Sequence, residues 1–316
     1  MKKIRQRVNT KISRAQMVDA ITRSGYLLEQ RVFPIIEDAG FYVETNPVFP
    51  DPATGKSREY DFSALSGIKV YREWNFLWVH LIGECVNNPQ PIVFFSSEKT
   101  TNFMFHEDLK CSGIPLWFPA RDSRDGEISF QEFLHLEKFH HYCKGSFSTQ
   151  YCSFRQKSGK TEWLAWHDDE HHGLFDSLVA ATEYEISEFF SSWDLPKKTE
   201  EEPLNINLFY PILIVKSDLY QCEQKKSKPL FTNIEHIQFR KSVISGKKAR
   251  TFHIDVITEA YLSDYLQLLE DEHEKIRAIL KRRKSDVRSA IEQIVTQARN
   301  AKAKNKRADF REILEF

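Results

Sequence analysis

The most constraining feature of this chain is an apolar run that carries one carboxylate, within the segment from Ser57 to Phe95. Its centre reads His80-Leu81-Ile82-Gly83-Glu84-Cys85-Val86, and the whole run from Trp74 to Val86 predicts a long, buried strand. A carboxylate on a buried strand requires a partner for its charge, and a divalent metal ion is a common one. Glu84 is therefore the first candidate for a functional residue.

Two more carboxylates, Glu59 and Asp61, lie upstream in Arg58-Glu59-Tyr60-Asp61-Phe62. The pattern predicts a strand from Phe41 to Phe49, a turn, and a returning strand from Ser57 to Leu65. Alternation along a strand places Glu59 and Asp61 on one face, and Glu84 and Val86 on one face of the next strand. Glu59 is either a group that supports a site at Asp61 or a surface charge.

A helix is predicted from Arg14 to Asp38, because its apolar residues recur at spacings of three and four, and Gly40 provides a stop signal. Pro34 lies inside this pattern and predicts a kink or a split. Glu29 lies on the flank of the apolar stripe, where a single glutamate is more often a surface residue than a functional one.

The rest of the chain alternates helical and strand patterns. Helices are predicted at Phe130–Tyr142, Asp168–Trp193 and Glu259–Ala303, and a hydrophobic strand at Leu208–Val215, where Pro211 indicates an edge position. Residues 234–257 are typical of a hairpin. The order of elements predicts a mixed α/β domain with helices covering a central sheet.

The chain divides into a basic lead-in (1–13), an α/β domain (14–258, with an insertion near 100–165) and a helical, basic C-terminal segment (259–316). Thirteen basic residues oppose three acidic ones between Lys275 and Arg311, although the net charge of the chain is zero. Lys281, Arg282, Arg283 and Lys284 are candidates for contacts with the nucleic-acid backbone. A solvated basic tail is an equal alternative.

Composition limits the class of protein. No window approaches the roughly 18 apolar residues of a membrane helix, and the basic start is not followed by an apolar segment, which predicts neither a membrane span nor a secretory signal. The five cysteines are scattered without CxxC spacing. Reduced thiols in the cytoplasm are the expectation.

Two histidine-rich segments have the residue types of a metal site. His167–His172 stands at a predicted helix start and lacks HExxH spacing, so a structural or solvated role is favoured. His135, His140 and His141 fall in one predicted helix and are more typical of surface or core residues than of ligands.

The acids carry a resemblance to the PD-(D/E)xK, or restriction-endonuclease-like, nucleases. Glu29, Asp61 and Glu84 stand on a helix and two strands in the family's order. The segments SGYLLEQRVFPIIEDAGFYV, DPATGKSREYDFSA and IGECVNNPQPIVFF are similar to its opening helix and strand, its Asp strand and its Glu strand. The resemblance covers about residues 15–100, and the remainder matches only in the order of elements.

The resemblance implies a restriction-endonuclease-like fold, with a mixed central sheet flanked by helices and a long C-terminal helix. It implies that Asp61, Glu84 and the backbone carbonyl of Cys85 bind Mg²⁺ or Mn²⁺, with Glu29 supporting the ion directly or through water. The implied activity is metal-dependent endonucleolytic hydrolysis of DNA by a cytoplasmic protein, and a homodimer is compatible with it.

Val86 occupies the place of the family's lysine, and valine can neither donate a hydrogen bond nor carry charge. Three explanations follow: Lys99 reaches the site from elsewhere, catalysis proceeds more slowly on metal alone, or catalysis is lost while binding remains. The expected function is thus a deoxyribonuclease. The alternatives are a catalytically inactive nuclease-fold protein that binds nucleic acid or a protein partner, and an unrelated α/β protein.

Overall fold

The computed structural model describes residues 11–51, 55–71, 75–99, 109–120, 126–166, 169–192, 204–225, 228–245 and 248–303. The helices are α1 (Arg14–Arg23), α2 (Tyr26–Asp38), α3 (Phe130–Leu134), α4 (Asp169–Ser192), α5 (Leu262–Arg282) and α6 (Lys284–Ala303). The first strands are β1 (Tyr42–Thr45), β2 (Val48–Pro50), β3 (Ser57–Glu59), β4 (Phe62–Lys69), β5 (Phe76–Val86), β6 (Ile92–Glu98), β7 (Lys110–Ile114) and β8 (Trp117–Pro119). The others are β9 (Glu127–Ser129), β10 (Ser146–Gln156), β11 (Trp163–Trp166), β12 (Asn205–Val215), β13 (Leu219–Lys225), β14 (Lys228–Ile234), β15 (His236–Ser245) and β16 (Lys248–Thr258).

One large mixed sheet organises the described part of the chain, in the order β1-β4-β5-β12-β16-β15-β10-β6-β13-β14, with β7 also beside β12 and β11 beside β10. Strand β5 runs antiparallel to β4 and parallel to β12 along its whole length. The prediction of a mixed α/β domain with helices around a central sheet is confirmed.

The apolar run of β5 is buried on both faces because two cores meet at this strand. Leu77, Val79, Leu81 and Cys85 enter a first core with α2, α5 and α6. Ile82 enters a second core, which is packed beneath α4 and extends across β12, β15 and β16. A strand covered on both faces reads as a continuous apolar run, which is why β5 was recognisable.

Several predicted elements are interrupted where the backbone must turn. The predicted helix 14–38 breaks at Ser24, whose backbone is extended, and not at Pro34, which lies inside α2. The predicted strand 57–65 is split between β3 and β4, which leaves Asp61 in the bend before β4. The predicted strand 41–49 divides at Asn46, whose φ is 52°.

Two further predictions were wrong. Strand β12 is central, and Pro211 is tolerated because β7 pairs with 205–209 and β16 with 212–215, which leaves the proline between the two partners. The predicted helix Phe130–Tyr142 ends at Leu134 and continues as two short 3₁₀ turns, so its three histidines do not share a helix face.

The region 100–165 and the C-terminal segment both pack with the rest of the α/β domain. The region 100–165 contributes β7 and β10 to the main sheet, where β10 lies between β15 and β6. Helices α5 and α6 place Leu269, Ile276, Leu280 and Val295 in the first core. The segment from 259 therefore packs with the α/β domain up to Val295, as two helices broken at Arg283. Among the described helices, none has an apolar span long enough to cross a membrane.

Gly83 provides a direct test of how β4 and β5 pack. Gly83 and Phe62 are paired in register, and a Cβ at Gly83 would lie 2.0 Å from Cζ of the Phe62 ring. We expect Gly83→Ala to lower the free energy of unfolding by about 1–3 kcal/mol through overpacking, whereas Ser66→Ala on the neighbouring strand β4 should be close to neutral. Urea denaturation measures both, and an equally stable Gly83→Ala protein would contradict this packing.

Candidate active site

The structure brings Asp61 and Glu84 into direct contact where β4 begins and β5 ends. The two carboxyl groups share a hydrogen bond, and Oδ2 of Asp61 also accepts the backbone N–H of Cys85 at 2.7 Å. Glu84 is buried, and the hydroxyl of Ser177 on α4 also bonds its carboxyl group. The antiparallel register of β4 and β5 pairs Phe62 with Gly83, so the residue before β4, Asp61, lies opposite Glu84.

Glu29 joins the pair from α2, where it is half-buried in the first turn. A Cβ built at Gly25 would lie 3.6 Å from Glu29 Oε1 and 3.3 Å from the carbonyl oxygen of Cys85, so both oxygens are near this glycine. We refer to Glu29, Asp61, Glu84 and the Cys85 carbonyl as the acid cluster. Its oxygen atoms come from one helix, one bend and one strand.

The pKa values of the three carboxyl groups in the acid cluster are all raised, and burial is the largest cause of each rise. Burial and the nearby charge of Asp61 raise the pKa of Glu84 to about 8, and burial also raises the pKa of Asp61. Burial and the charge of Asp61 raise the pKa of Glu29. The charges with the largest effects on these three pKa values are those of other carboxylates. A proton on Glu84 therefore holds the pair together in the absence of a cation.

The donor set of the acid cluster fits a hard divalent cation. Magnesium and manganese prefer carboxylate and carbonyl oxygens, and two carboxylates with one carbonyl are sufficient protein ligands when water completes the shell. Asp61, Glu84 and the Cys85 carbonyl would hold the ion, and Glu29 adds a fourth oxygen source. A cation would neutralise the mutual repulsion that the shared proton now relieves.

Glu59 and Val86 lie at the margins of the acid cluster. Glu59 is exposed on β3 and contributes only a small electrostatic effect, which raises the pKa of Asp61. Val86 packs against the second core at the end of β5. The place of the family's lysine is thus filled by an apolar contact.

Lys99 is not at the acid cluster, which corrects the suggestion that it replaces the missing lysine. Its ammonium group donates to the carbonyl oxygens of Tyr142 and Lys144, at 2.8 and 3.0 Å, and to the side chain of Gln238. Gln238 lies on β15, three strands from β5 in the sheet, which corresponds to roughly 14 Å.

The basic candidates at the junction of α5 and α6 divide into two kinds. Arg283 stacks on Phe133 at 3.7 Å and bonds its carbonyl oxygen and Asp286, so this guanidinium has a structural role. Lys281, Arg282 and Lys284 are exposed.

Two further predictions fall outside the described side chains. They are the segment His167–His172 and the basic residues beyond Ala303.

A second charged cluster, which the sequence did not predict, is largely buried between the 3₁₀ turns that follow α3, strands β15 and β16, and α5. The ring of His141 lies between two carboxylates, with Nδ1 2.8 Å from Glu272 and Nε2 3.3 Å from Asp255. Asp255 also bonds His236 and the hydroxyl of Tyr265, both at 2.8 Å. We refer to these five residues as the charge network.

The charge network neutralises itself. Burial alone would lower the pKa of His141, but the charges of Glu272 and Asp255 raise it to about 10. Burial alone would raise the pKa of Glu272, but His140 and His141 hold it at about 2. An imidazolium ion between two carboxylates therefore satisfies all three groups without an added ion.

His140, His141 and Glu272 offer ligand atoms within 4.8 Å of one another, which is compatible in distance with a metal site. The hydrogen bonds argue against one. Nδ1 of His140 accepts the backbone N–H of Tyr142 at 3.1 Å, and burial lowers the pKa of this histidine to about 3. The proton of the neutral ring is therefore on Nε2, the atom that would have to bind the metal.

The sequence carried a weak signal for this network. Glu272 and His273 lie within the apolar stripe of α5, between Leu269 and Ile276, where a charged residue is unusual unless it is paired.

All five cysteines are free thiols. Two of them, Cys85 and Cys143, lie near the clusters described above.

Comparison of the chain with protein-family models, with curated protein sequences and with solved structures finds no match to any of them. The functional argument therefore depends on the geometry of the acid cluster and on the motif residues themselves.

Replacing Glu84 by glutamine should stabilise the cation-free protein. The pKa of Glu84 is higher in the folded protein than in the unfolded chain. Glu84 therefore destabilises the folded protein increasingly as the pH rises from about 4.5 to about 8, because over this range the unfolded residue is ionised and the folded residue is not. We expect Glu84→Gln to raise the free energy of unfolding by on the order of 1–3 kcal/mol at pH 8 and by less at pH 5. Urea denaturation at both pH values tests this, with the exposed Glu37→Gln as the control.

Replacing His141 by glutamine should have the opposite effect, because it leaves Asp255 and Glu272 buried without their cation. A loss of about 3–5 kcal/mol is expected at pH 6. The stabilisation by His141 is fully present below its unfolded pKa of 6.5 and is lost as the pH rises through about 10, so the difference from the wild type should shrink towards pH 10. A loss that does not depend on pH would contradict the imidazolium assignment.

Proposed function

We propose that this protein is a divalent-metal-dependent DNA endonuclease whose active site is the acid cluster. The observation that carries the proposal is the buried contact between Asp61 and Glu84, beside the carbonyl oxygen of Cys85 and the carboxylate of Glu29. Three carboxylates from separate elements converge, their pKa values are raised by burial and by neighbouring acidic groups, and a structural role does not require such an arrangement.

The protein groups have separable roles in this proposal. Asp61 and Glu84 bind the cation and hold it at the end of β5, and the N–H of Cys85 fixes the orientation of the Asp61 carboxylate. Ser177 fixes Glu84 from α4. The bound cation would supply charge stabilisation for the phosphate and activation of the attacking water.

The substrate class in this proposal follows from the resemblance to PD-(D/E)xK nucleases and from the basic residues between 275 and 311. The exposed Lys281 and Arg282 are proposed as contacts to the phosphate backbone, which would position DNA without reading its sequence. Mg²⁺ or Mn²⁺ is the proposed cofactor, and the cytoplasm is the proposed location, where thiols stay reduced.

A catalytically inactive nuclease-fold protein that binds nucleic acid or a protein partner is the second candidate. The specific observation in its favour is Val86, which is packed against apolar residues where the family's lysine would lie, while Lys99 is bound elsewhere. Under this hypothesis the acid cluster still binds a cation, but no group positions the attacking water.

Cleavage of supercoiled and linear plasmid DNA in Mg²⁺ or Mn²⁺ separates the two candidates. We expect slow cleavage by the wild type. Asp61→Asn should lose this cleavage because the neutral amide weakens cation binding. The control Glu37→Gln, at an exposed position of α2, should remain active. Val86→Lys should accelerate cleavage by restoring an ammonium group two residues after Glu84. Cleavage by Val86→Lys but not by the wild type would favour the catalytically inactive protein. Cleavage that survives Asp61→Asn would reject the proposed site.

A further inference from the structure

Gly25 is the residue beside the acid cluster that the sequence did not single out. It is the N-cap of α2, one turn before Glu29, and its φ and ψ are −69° and −23°. These helical values are open to any amino acid at little cost, and alanine favours them more than glycine does. The backbone conformation therefore does not require glycine at this position, and the reason for it must lie in the surrounding space.

The space above Gly25 is bounded by two oxygen atoms. A Cβ built on this residue would lie 3.3 Å from the carbonyl oxygen of Cys85 and 3.6 Å from Oε1 of Glu29. One oxygen comes from the end of β5 and the other from α2, and both are hydrogen-bond acceptors. Two acceptors that face a common point repel each other unless a donor or a cation lies between them.

We propose that Gly25 is a positioning residue of the cation site. The absence of a side chain keeps open the space that Glu29 and the Cys85 carbonyl share, so that both can act on a cation held by Asp61 and Glu84. This inference depends on the proposed function, because it assigns the space to the coordination shell of the proposed ion. It also gives Glu29 a direct part in the site, which the sequence had left open between direct and water-mediated support.

The alternative is that glycine is needed only for close packing of α2 on β5. The contact distances argue against a large packing effect, since only the Cys85 carbonyl oxygen would have to move, by a few tenths of an ångström, while Glu29 Oε1 is at an ordinary van der Waals distance from an added methyl group. In a helical backbone, alanine also lowers the conformational entropy of the unfolded chain. Packing therefore predicts little change in cation affinity, whereas a methyl group in the coordination space predicts a clear loss.

Isothermal titration calorimetry with Mn²⁺ on the full-length protein tests the proposal, together with the melting temperature of the cation-free protein. We expect Gly25→Ala to weaken Mn²⁺ binding about 10-fold or more, the size typical of losses around metal sites, with a melting temperature that is unchanged or higher. Ser24→Ala, at the same junction of α1 and α2, should bind Mn²⁺ like the wild type.

A double variant makes the outcome independent of any change in stability. If Gly25 acts through the space that it shares with Glu29, then Gly25→Ala combined with Glu29→Gln should bind little more weakly than Glu29→Gln alone. Fully additive losses, or equal affinity of Gly25→Ala and the wild type, would overturn the role of Gly25 while leaving the cation site intact. Absence of Mn²⁺ binding by the wild type would overturn the proposed function, and this inference with it.

Discussion

The hydrogen bond between the carboxyl groups of Asp61 and Glu84 is the interaction on which the functional part of this structure depends. It exists only because a proton remains on a buried glutamate, whose pKa is raised to about 8. The apolar run of β5 secures the position of Glu84, since both faces of the strand are covered by core residues. Packing of the two cores on β5 therefore offsets the unfavourable burial of the Asp61–Glu84 pair. Such destabilising groups are common at functional sites.

The two buried charged clusters show why one of them is assigned a ligand and the other is not. In the charge network, His141 lies between Asp255 and Glu272, and each carboxylate has further donors, so the charges are balanced within the protein. In the acid cluster, the donors are one backbone N–H, one serine hydroxyl and the shared proton. Above the pKa of Glu84 both carboxyl groups are charged, and a cation from solution would balance them.

The sequence predicted the parts of the structure that local patterns determine. The apolar runs of β5 and β12 and the stripe of α4 specified their elements, and the order of acids on helix and strands predicted that Glu29, Asp61 and Glu84 would meet. Patterns could not show the bend that isolates Asp61 from β3 or the break at Ser24, because each depends on one or two backbone angles. The partners in the charge network could not be predicted either, beyond the weak signal of Glu272 in the apolar stripe of α5, because its members are far apart in sequence and meet only through the sheet order.

Diffraction from crystals soaked in Mn²⁺, recorded where the anomalous signal of manganese is strong, tests the central claim most directly. The predicted result is an anomalous peak within about 2.0–2.4 Å of carboxylate oxygens of Asp61 and Glu84 and near the carbonyl oxygen of Cys85, with the hydrogen bond between the two carboxyl groups broken. The contradicting result is a pair that remains hydrogen-bonded at saturating Mn²⁺ and pH 8, with no peak beside it.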